Sequence, residues 1–227
     1  MQGLMMNSQL TIASLMRYAE QNHANAEIVS VTNDDPRHRY TLGESFARAR
    51  KLANALRNLG VETGDFLGTF AWNDYRHMEI YYALGGMGCV CHTVNPRLFA
   101  EQIEYIVNHA EDHWLFVDPD FISVLEPLES RFKSVKGYII LTDSANMPET
   151  SLQNAICYEE FIDPHTAEFD WPELDENSAC SMCYTSGTTG NPKGVLYSHR
   201  ALVLQSYAAC LPKAMAFTNQ DVVMPIV

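Results

Sequence analysis

The sequence predicts an α/β protein in which a mostly parallel sheet is flanked by helices. Two observations carry that prediction. Short apolar runs of strand length alternate with segments whose apolar residues recur at the helical period, the order that builds parallel sheets covered by helices. The 227 residues, 47% hydrophobic and 19% charged, are also enough to bury a sizeable core and exclude a disordered chain.

Leu10, Ile12, Leu15, Met16 and Ala19 trace the apolar face of a short helix. Residues 27–31 and 37–40 read as strands around the turn Asn33-Asp34-Asp35-Pro36. The clearest helix follows. Thr41 and Glu44 have capping-box spacing; Leu42, Phe46, Ala49, Ala53 and Leu56 keep the helical period; Gly60 is the stop after Leu59. Residues 65–71 form a buried strand, 75–87 a helix, and 89–94 a strand ending at Asn95-Pro96. A helix over 101–108, a strand over 114–117, a helix over 121–132 and a strand over 138–141 complete the alternation. The polar stretch 142–154, rich in Asp, Ser, Asn and Pro, reads as a linker. Beyond a polar segment at 170–178, Gly194–Tyr197 reads as a strand and Ser198 caps a helix from Arg200 to Leu211. Residues 221–227 open another strand, and the sequence stops inside that apolar run. The expected division is a first α/β lobe at 1–170 and a segment at 171–227 that begins a second lobe.

A net charge of −13 argues against nucleic acid, whose phosphates need clustered Lys and Arg. No basic start with an apolar core marks a signal peptide, and no apolar run reaches membrane-helix length. A cytoplasmic location is expected, with the inner-membrane surface as the alternative. Cys180 and Cys183 lie three apart on a strand, so they point to opposite faces and do not chelate one metal; Cys89 and Cys91 share a face but lack a second pair. Reduced, mostly buried thiols are expected.

Tyr184-Thr185-Ser186-Gly187-Thr188-Thr189-Gly190-Asn191-Pro192-Lys193-Gly194 packs three glycines, four aliphatic hydroxyls and one lysine into eleven residues. Glycines let backbone N–H groups approach a ligand closely, hydroxyls add donors, and the lysine adds a mobile positive charge. That set fits a loop wrapping a polyphosphate. It is not the Walker loop, because Pro192 stands where the second glycine would be. An ordinary Gly/Ser/Thr turn is the alternative, and the length and order of this run weigh against it.

This loop resembles the phosphate-loop signature of the AMP-forming acyl-CoA synthetases, members of the adenylate-forming superfamily. The resemblance extends to Ala71-Trp72-Asn73 with Arg76-His77, Val94-Asn95-Pro96-Arg97-Leu98-Phe99, Asn108-His109-Ala110-Glu111-Asp112 and Tyr197-Ser198-His199-Arg200. These are similar to the medium- and long-chain fatty acyl-CoA ligases and their relatives acting on short thioether acids. The implied fold is part of the N-terminal domain of the adenylate-forming enzymes, without their C-terminal small domain. The implied partners are ATP, Mg²⁺, CoA and a fatty or other aliphatic carboxylic acid, with a homodimer as one assembly. The implied reaction activates the acid as an acyl-adenylate, releases pyrophosphate, and then forms acyl-CoA with release of AMP.

On that resemblance Thr185, Ser186, Gly187, Thr188, Thr189, Gly190 and Lys193 bind the nucleotide. Lys193 offsets charge on the leaving pyrophosphate, and Thr185 helps hold Mg²⁺. His199 with Arg200, Arg76 with His77, and His92 read more readily as packing or capping groups than as catalytic ones. Asn95-Pro96-Arg97 reads as a strand-ending loop with a subunit contact as the other role for Arg97, and Tyr81, Tyr82 and Met87 read as core rather than acyl pocket. Family members are much longer, and the resemblance places later catalytic parts beyond Val227, so the chain alone is expected to be inactive. The competing readings are an adenylating enzyme for another carboxylate (aryl, thioether or amino acid) and a non-catalytic truncated assembly module.

Overall fold

The computed structural model describes residues 1, 3–185 and 191–225. Helix α1 (Ile12–His23) starts at a reciprocal Thr11–Ser14 capping box. Strands β1 (Glu27–Ser30) and β2 (His38–Thr41) pair antiparallel as a separate hairpin. Helix α2 (Leu42–Asn58) opens with the Thr41–Glu44 capping box visible in the sequence, and its chain turns away at Gly60, where φ is 85°. Then come β3 (Phe66–Phe70), α3 (Tyr75–Met87), β4 (Val90–Thr93), α4 (Ala100–Ala110) and β5 (Trp114–Val117). After a short α5 (Ile122–Leu125) follow β6 (Gly137–Ile140), β7 (Ala155–Cys157), α6 (Tyr158–Ile162), β8 (Ala179–Thr185), β9 (Lys193–Ser198) and α7 (His199–Cys210).

Strands β3 to β9 make one sheet in the order β7-β6-β5-β3-β4-β8-β9, parallel throughout except for β9, which runs antiparallel to β8. The mostly parallel α/β sheet is therefore as expected, and strands from both sides of residue 171 belong to it. Strand alternation divides the core. Leu67, Phe116 and Ile139 pack under α1, α2, α3 and α6 with Phe46, Leu52, Ile80 and Tyr158. Phe70, Leu115, Val117 and Ile140 face α4 and the 119–131 segment with Ile103, Ile106 and Leu125.

The sequence reading needs three corrections. The helix expected over 121–132 is a 3₁₀ turn (Pro119–Phe121), α5, and a second 3₁₀ stretch (Glu126–Arg131). Pro127 has no N–H to continue an α-helix through this segment. The stretch 142–154 does not separate domains: it links the adjacent strands β6 and β7, with Leu152 buried and Glu126 accepting from the Thr150 hydroxyl and Ser151 N–H. Strand β7 and helix α6, three and five residues long, are too short to show a period. The strand expected from 221 is not formed at 221–225, which are irregular and exposed; a strand needs a ladder partner, and none lies alongside among the described residues. Residues 226 and 227 lie outside the described part.

A buried ionic network ties the hairpin to the helices. Glu79, fully buried on α3, accepts from Arg48 Nε on α2 at 2.7 Å and from the Tyr158 hydroxyl on α6 at 2.8 Å. Arg76 donates to Glu159 at 2.8 Å and to Asp34, in the hairpin turn, at 2.8 Å. No helix among the described residues is long and apolar enough to cross a membrane.

Candidate functional site

Ligands of open parallel sheets gather at the C-terminal ends of the strands. Among the described residues a pair of grooves that differ in charge opens there. One, of about 280 Å³, lies beyond β3, β5 and β6 and is lined by Asp34, Asp74, Asp118 and Asp120 around Arg76. Burial pushes the Asp118 carboxyl up to about 6, and the nearby charges of Asp120 and Asp74 add to this. An acidic lining of this kind repels a polyphosphate.

The other groove, about 460 Å³, lies beyond β3, β4 and β8. Its lining includes Trp72, His77, Tyr81, Arg97, Cys183 and Tyr184. Strand β8 contributes Cys183 and Tyr184 to this lining and ends one residue later at Thr185, which the antiparallel register sets opposite Lys193. Both are exposed. Lys193 is the first residue of β9, one residue earlier than the strand start read from the sequence, so its position is fixed by the β8–β9 ladder. Ser186, Gly187, Thr188, Thr189 and Gly190 lie outside the described residues.

Gly194 faces Tyr184 across the same ladder, and a Cβ there would sit 3.1 Å from the tyrosine ring. The glycine therefore leaves room for the Tyr184 ring to lie over β9. Thr185 offers one neutral hard oxygen, and no group of three or more His, Cys, Asp or Glu side chains able to hold a metal occurs among the described residues. That donor set suits an Mg²⁺ carried largely by phosphate oxygens and water better than a protein-built cage.

The histidines near the site are committed to the scaffold. His77 is buried, with Nδ1 3.1 Å from the Trp72 carbonyl and Nε2 3.1 Å from the Thr69 hydroxyl. A carbonyl only accepts, so Nδ1 carries the proton and Nε2 accepts from Thr69. Burial lowers the imidazole pKa to about 4, leaving the ring neutral at pH 7. His92, at the centre of the sheet, is paired with Asp112 at 2.8 Å. His199 is buried, and its Nδ1 accepts the Ile12 N–H at the start of α1; Arg200 pairs with Glu176, which also accepts the Leu10 N–H. Arg76 is locked between Asp34 and Glu159.

Asn95 Oδ1 accepts the Arg97 N–H at 2.9 Å, closing the strand-ending turn and leaving the Arg97 side chain exposed at the groove. Tyr82 and Met87 pack with the core, whereas Tyr81 is 39% exposed and lines the groove, so the core reading holds for two of the three. All six cysteines are free thiols; Cys89, Cys91, Cys157 and Cys180 are buried. The loop signature by itself assigns Tyr184 no role. Its placement depends on residues distant in the chain, which no local pattern shows.

The chain matches the family model described as AMP-binding enzyme over residues 16–227. It is 45% identical over its whole length to a 3-methylmercaptopropionyl-CoA ligase of Ruegeria lacuscaerulensis and 43% identical over its whole length to a medium-chain-fatty-acid–CoA ligase of Ectopseudomonas oleovorans. In each case it spans 42% of the relative's length. Among solved structures, a long-chain-fatty-acid-CoA ligase from Archaeoglobus fulgidus superposes on 89% of the chain with a TM-score of 0.75 at 18% identity, and the match covers 39% of that structure. That likeness shows the fold shared with the N-terminal part of a longer chain.

Proposed function

Because the chain belongs to the AMP-binding enzyme family, we propose that the protein containing it activates an aliphatic carboxylic acid with ATP, giving an acyl-adenylate and pyrophosphate and then an acyl-CoA and AMP. The preferred substrate in this reading is a medium- or long-chain fatty acid. Two relatives that match the whole chain are named for a medium-chain fatty acid and a short thioether acid, which favours an unbranched aliphatic acid over an aryl or amino acid. The observation that supports the reading is the β8–β9 ladder that holds the exposed Thr185 and Lys193 in register, one residue beyond Tyr184 in the lining of the non-acidic groove. Residues 1–170 are taken as a first lobe and 171–227 as the start of a second.

The chemical difficulty is electrostatic: a carboxylate must approach an anionic triphosphate, and pyrophosphate must leave. Positioned donors and cations meet both demands. In the proposed arrangement Ser186, Thr188, Thr189 and the backbone of Gly187 and Gly190 grip the β- and γ-phosphates. Lys193, held by the ladder, offsets charge on the departing pyrophosphate. Thr185 gives a hydroxyl ligand to Mg²⁺, which supplies further neutralisation of the phosphate oxygens.

The test is ATP–pyrophosphate exchange by the full-length protein against octanoate, palmitate, 3-methylmercaptopropionate and anthranilate. The reading expects octanoate or palmitate to give the highest kcat/KM. A preference for the thioether acid would move the substrate while keeping the chemistry, and exchange with none of the four would overturn the proposal. Lys193→Ala is expected to lower exchange about a hundredfold, the scale of losing one transition-state charge partner.

A further inference from the structure

We infer that Tyr184 is a positioning residue for nucleotide binding, held from below by the buried His92–Asp112 pair and from the side by His109. The inference rests on the nucleotide reading above. It begins with a choice that is costly for stability alone. His92 and Asp112 are both completely buried, with Nδ1 and Oδ2 2.8 Å apart. Among the described residues, neither His92 Nε2 nor Asp112 Oδ1 has a hydrogen-bond partner. Well-packed apolar side chains commonly stabilise such a site as well or better, so the pair calls for another reason.

The surroundings point to Tyr184. Its ring lies 5.2 Å from the His92 ring, and its hydroxyl lies 2.6 Å from Nδ1 of His109 on α4. Asp112 follows the end of α4, so one helix and its exit supply both supports. Two glycines clear the space. Gly68 pairs with His92 across β3–β4, and a Cβ there would lie 3.1 Å from Asp112 Oδ2. Gly194 faces Tyr184 and leaves room for its ring. Tyr184 is thereby gripped from α4, β4 and β9 at once.

The next peptide leads to Thr185, whose ladder partner is Lys193. Anchoring the Tyr184 side chain restrains the end of β8 from which Thr185 follows, and misplacement on the ångström scale is enough to cost binding and rate. Burial, with the Asp112 charge adding to it, pushes the Tyr184 phenol pKa up to about 12, so at neutral pH a neutral hydroxyl meets His109.

The test uses the full-length protein, with pyrophosphate exchange in which ATP and carboxylate are each varied at saturating levels of the other, and a thermal melt for each variant. Tyr184→Phe, which deletes only the hydroxyl, is expected to raise KM for ATP about fivefold, the worth of one hydrogen bond, with KM for the carboxylate and Tm unchanged. His92→Leu is expected to raise it further. His92→Asn, whose side-chain amide can still donate to Asp112, is expected to recover most of the loss. An ATP KM within twofold of wild type in Tyr184→Phe would overturn the inference. So would losses that track Tm alone. Lys193→Ala separates the two levels. If it abolishes ATP-dependent exchange while Tyr184→Phe binds ATP normally, only this inference fails. If Lys193→Ala behaves as wild type, the nucleotide reading fails and takes this inference with it.

Discussion

Removing the Glu79 carboxylate is the sharpest test of what holds α3 in place. Glu79 is fully buried and accepts from Arg48 at 2.7 Å and from the buried Tyr158 hydroxyl at 2.8 Å. Burial pushes its carboxyl above the ordinary carboxylate range, while Arg48 and the Tyr158 hydroxyl pull it back. In Glu79→Ala, Arg48 keeps Glu159 as its anionic partner among the described residues, and Tyr158 loses the acceptor of its hydroxyl. Breaking one half of a buried pair costs about 3–5 kcal/mol, and an unsatisfied buried hydroxyl accounts for about 1–3 kcal/mol of that. The Arg48 side chain is 26% exposed and can lean toward water, which selects the lower end, about 3 kcal/mol. Glu79→Gln keeps the volume and one acceptor and is expected to lose about 1–2 kcal/mol. Arg48→Met with Glu79→Leu removes both charges and is expected to be more stable than Glu79→Ala. Urea unfolding reads this as a shift in midpoint at constant slope. Glu79→Ala within about 1 kcal/mol of wild type, or a double variant less stable than the single, would refute the assignment of α3's position to this network.

Two further perturbations bear on the same region. Gly68→Ala places a Cβ 2.5 Å from Leu115 Cδ2 and 3.1 Å from Asp112 Oδ2; overpacking of about 1–3 kcal/mol is expected, visible as a lowered Tm, and an unchanged Tm would show that Leu115 and Asp112 have room to retreat. His77 is depressed to about 4 by burial, so its contribution to stability is complete above its unfolded value and is lost as pH falls from the unfolded value toward about 4. Asp118, raised to about 6, works in the opposite sense, gaining stability as pH falls through that value. The quantity to measure is therefore the difference in unfolding free energy between wild type and His77→Gln. Relative to the variant, wild type should lose about 2 kcal/mol between pH 7 and pH 5, and a difference independent of pH would show that the ring titrates in the fold as it does in the unfolded chain.

Where the chain's local chemistry decides, the sequence was readable. The Thr41–Glu44 box, the stop at Gly60 and the strand runs at 66–70 and 114–117 each depend on residues within one turn or one strand. The segment 119–131 was misread because Pro127 breaks what the apolar spacing of 121–132 alone suggests. Strand β7 was missed because three residues at a sheet edge carry no period; its place is set by pairing with β6.

The site divides along the same line. Thr185 and Lys193 could be proposed from the sequence because the residue types of the proposed phosphate loop lie together in one short run. What supports that run could not, because its parts come from separate elements: Gly68 on β3, His92 on β4, His109 and Asp112 at the end of α4, and Gly194 on β9. Each had an ordinary local explanation, as a strand glycine, a buried histidine or a helix-end acid. Their common role appears only when the sheet order places β8 beside β4 and the register sets Tyr184 against Gly194. The reverse holds for Arg76, His77 and His199. Their side chains are typical of catalysis, yet each is buried in the scaffold: Arg76 between Asp34 and Glu159, His77 between the Trp72 carbonyl and Thr69 hydroxyl, and His199 with its Nδ1 accepting the Ile12 N–H. A side chain buried within its own fold has little to offer a substrate, so it is exposure, and not residue type, that separates Thr185 and Lys193 from these three.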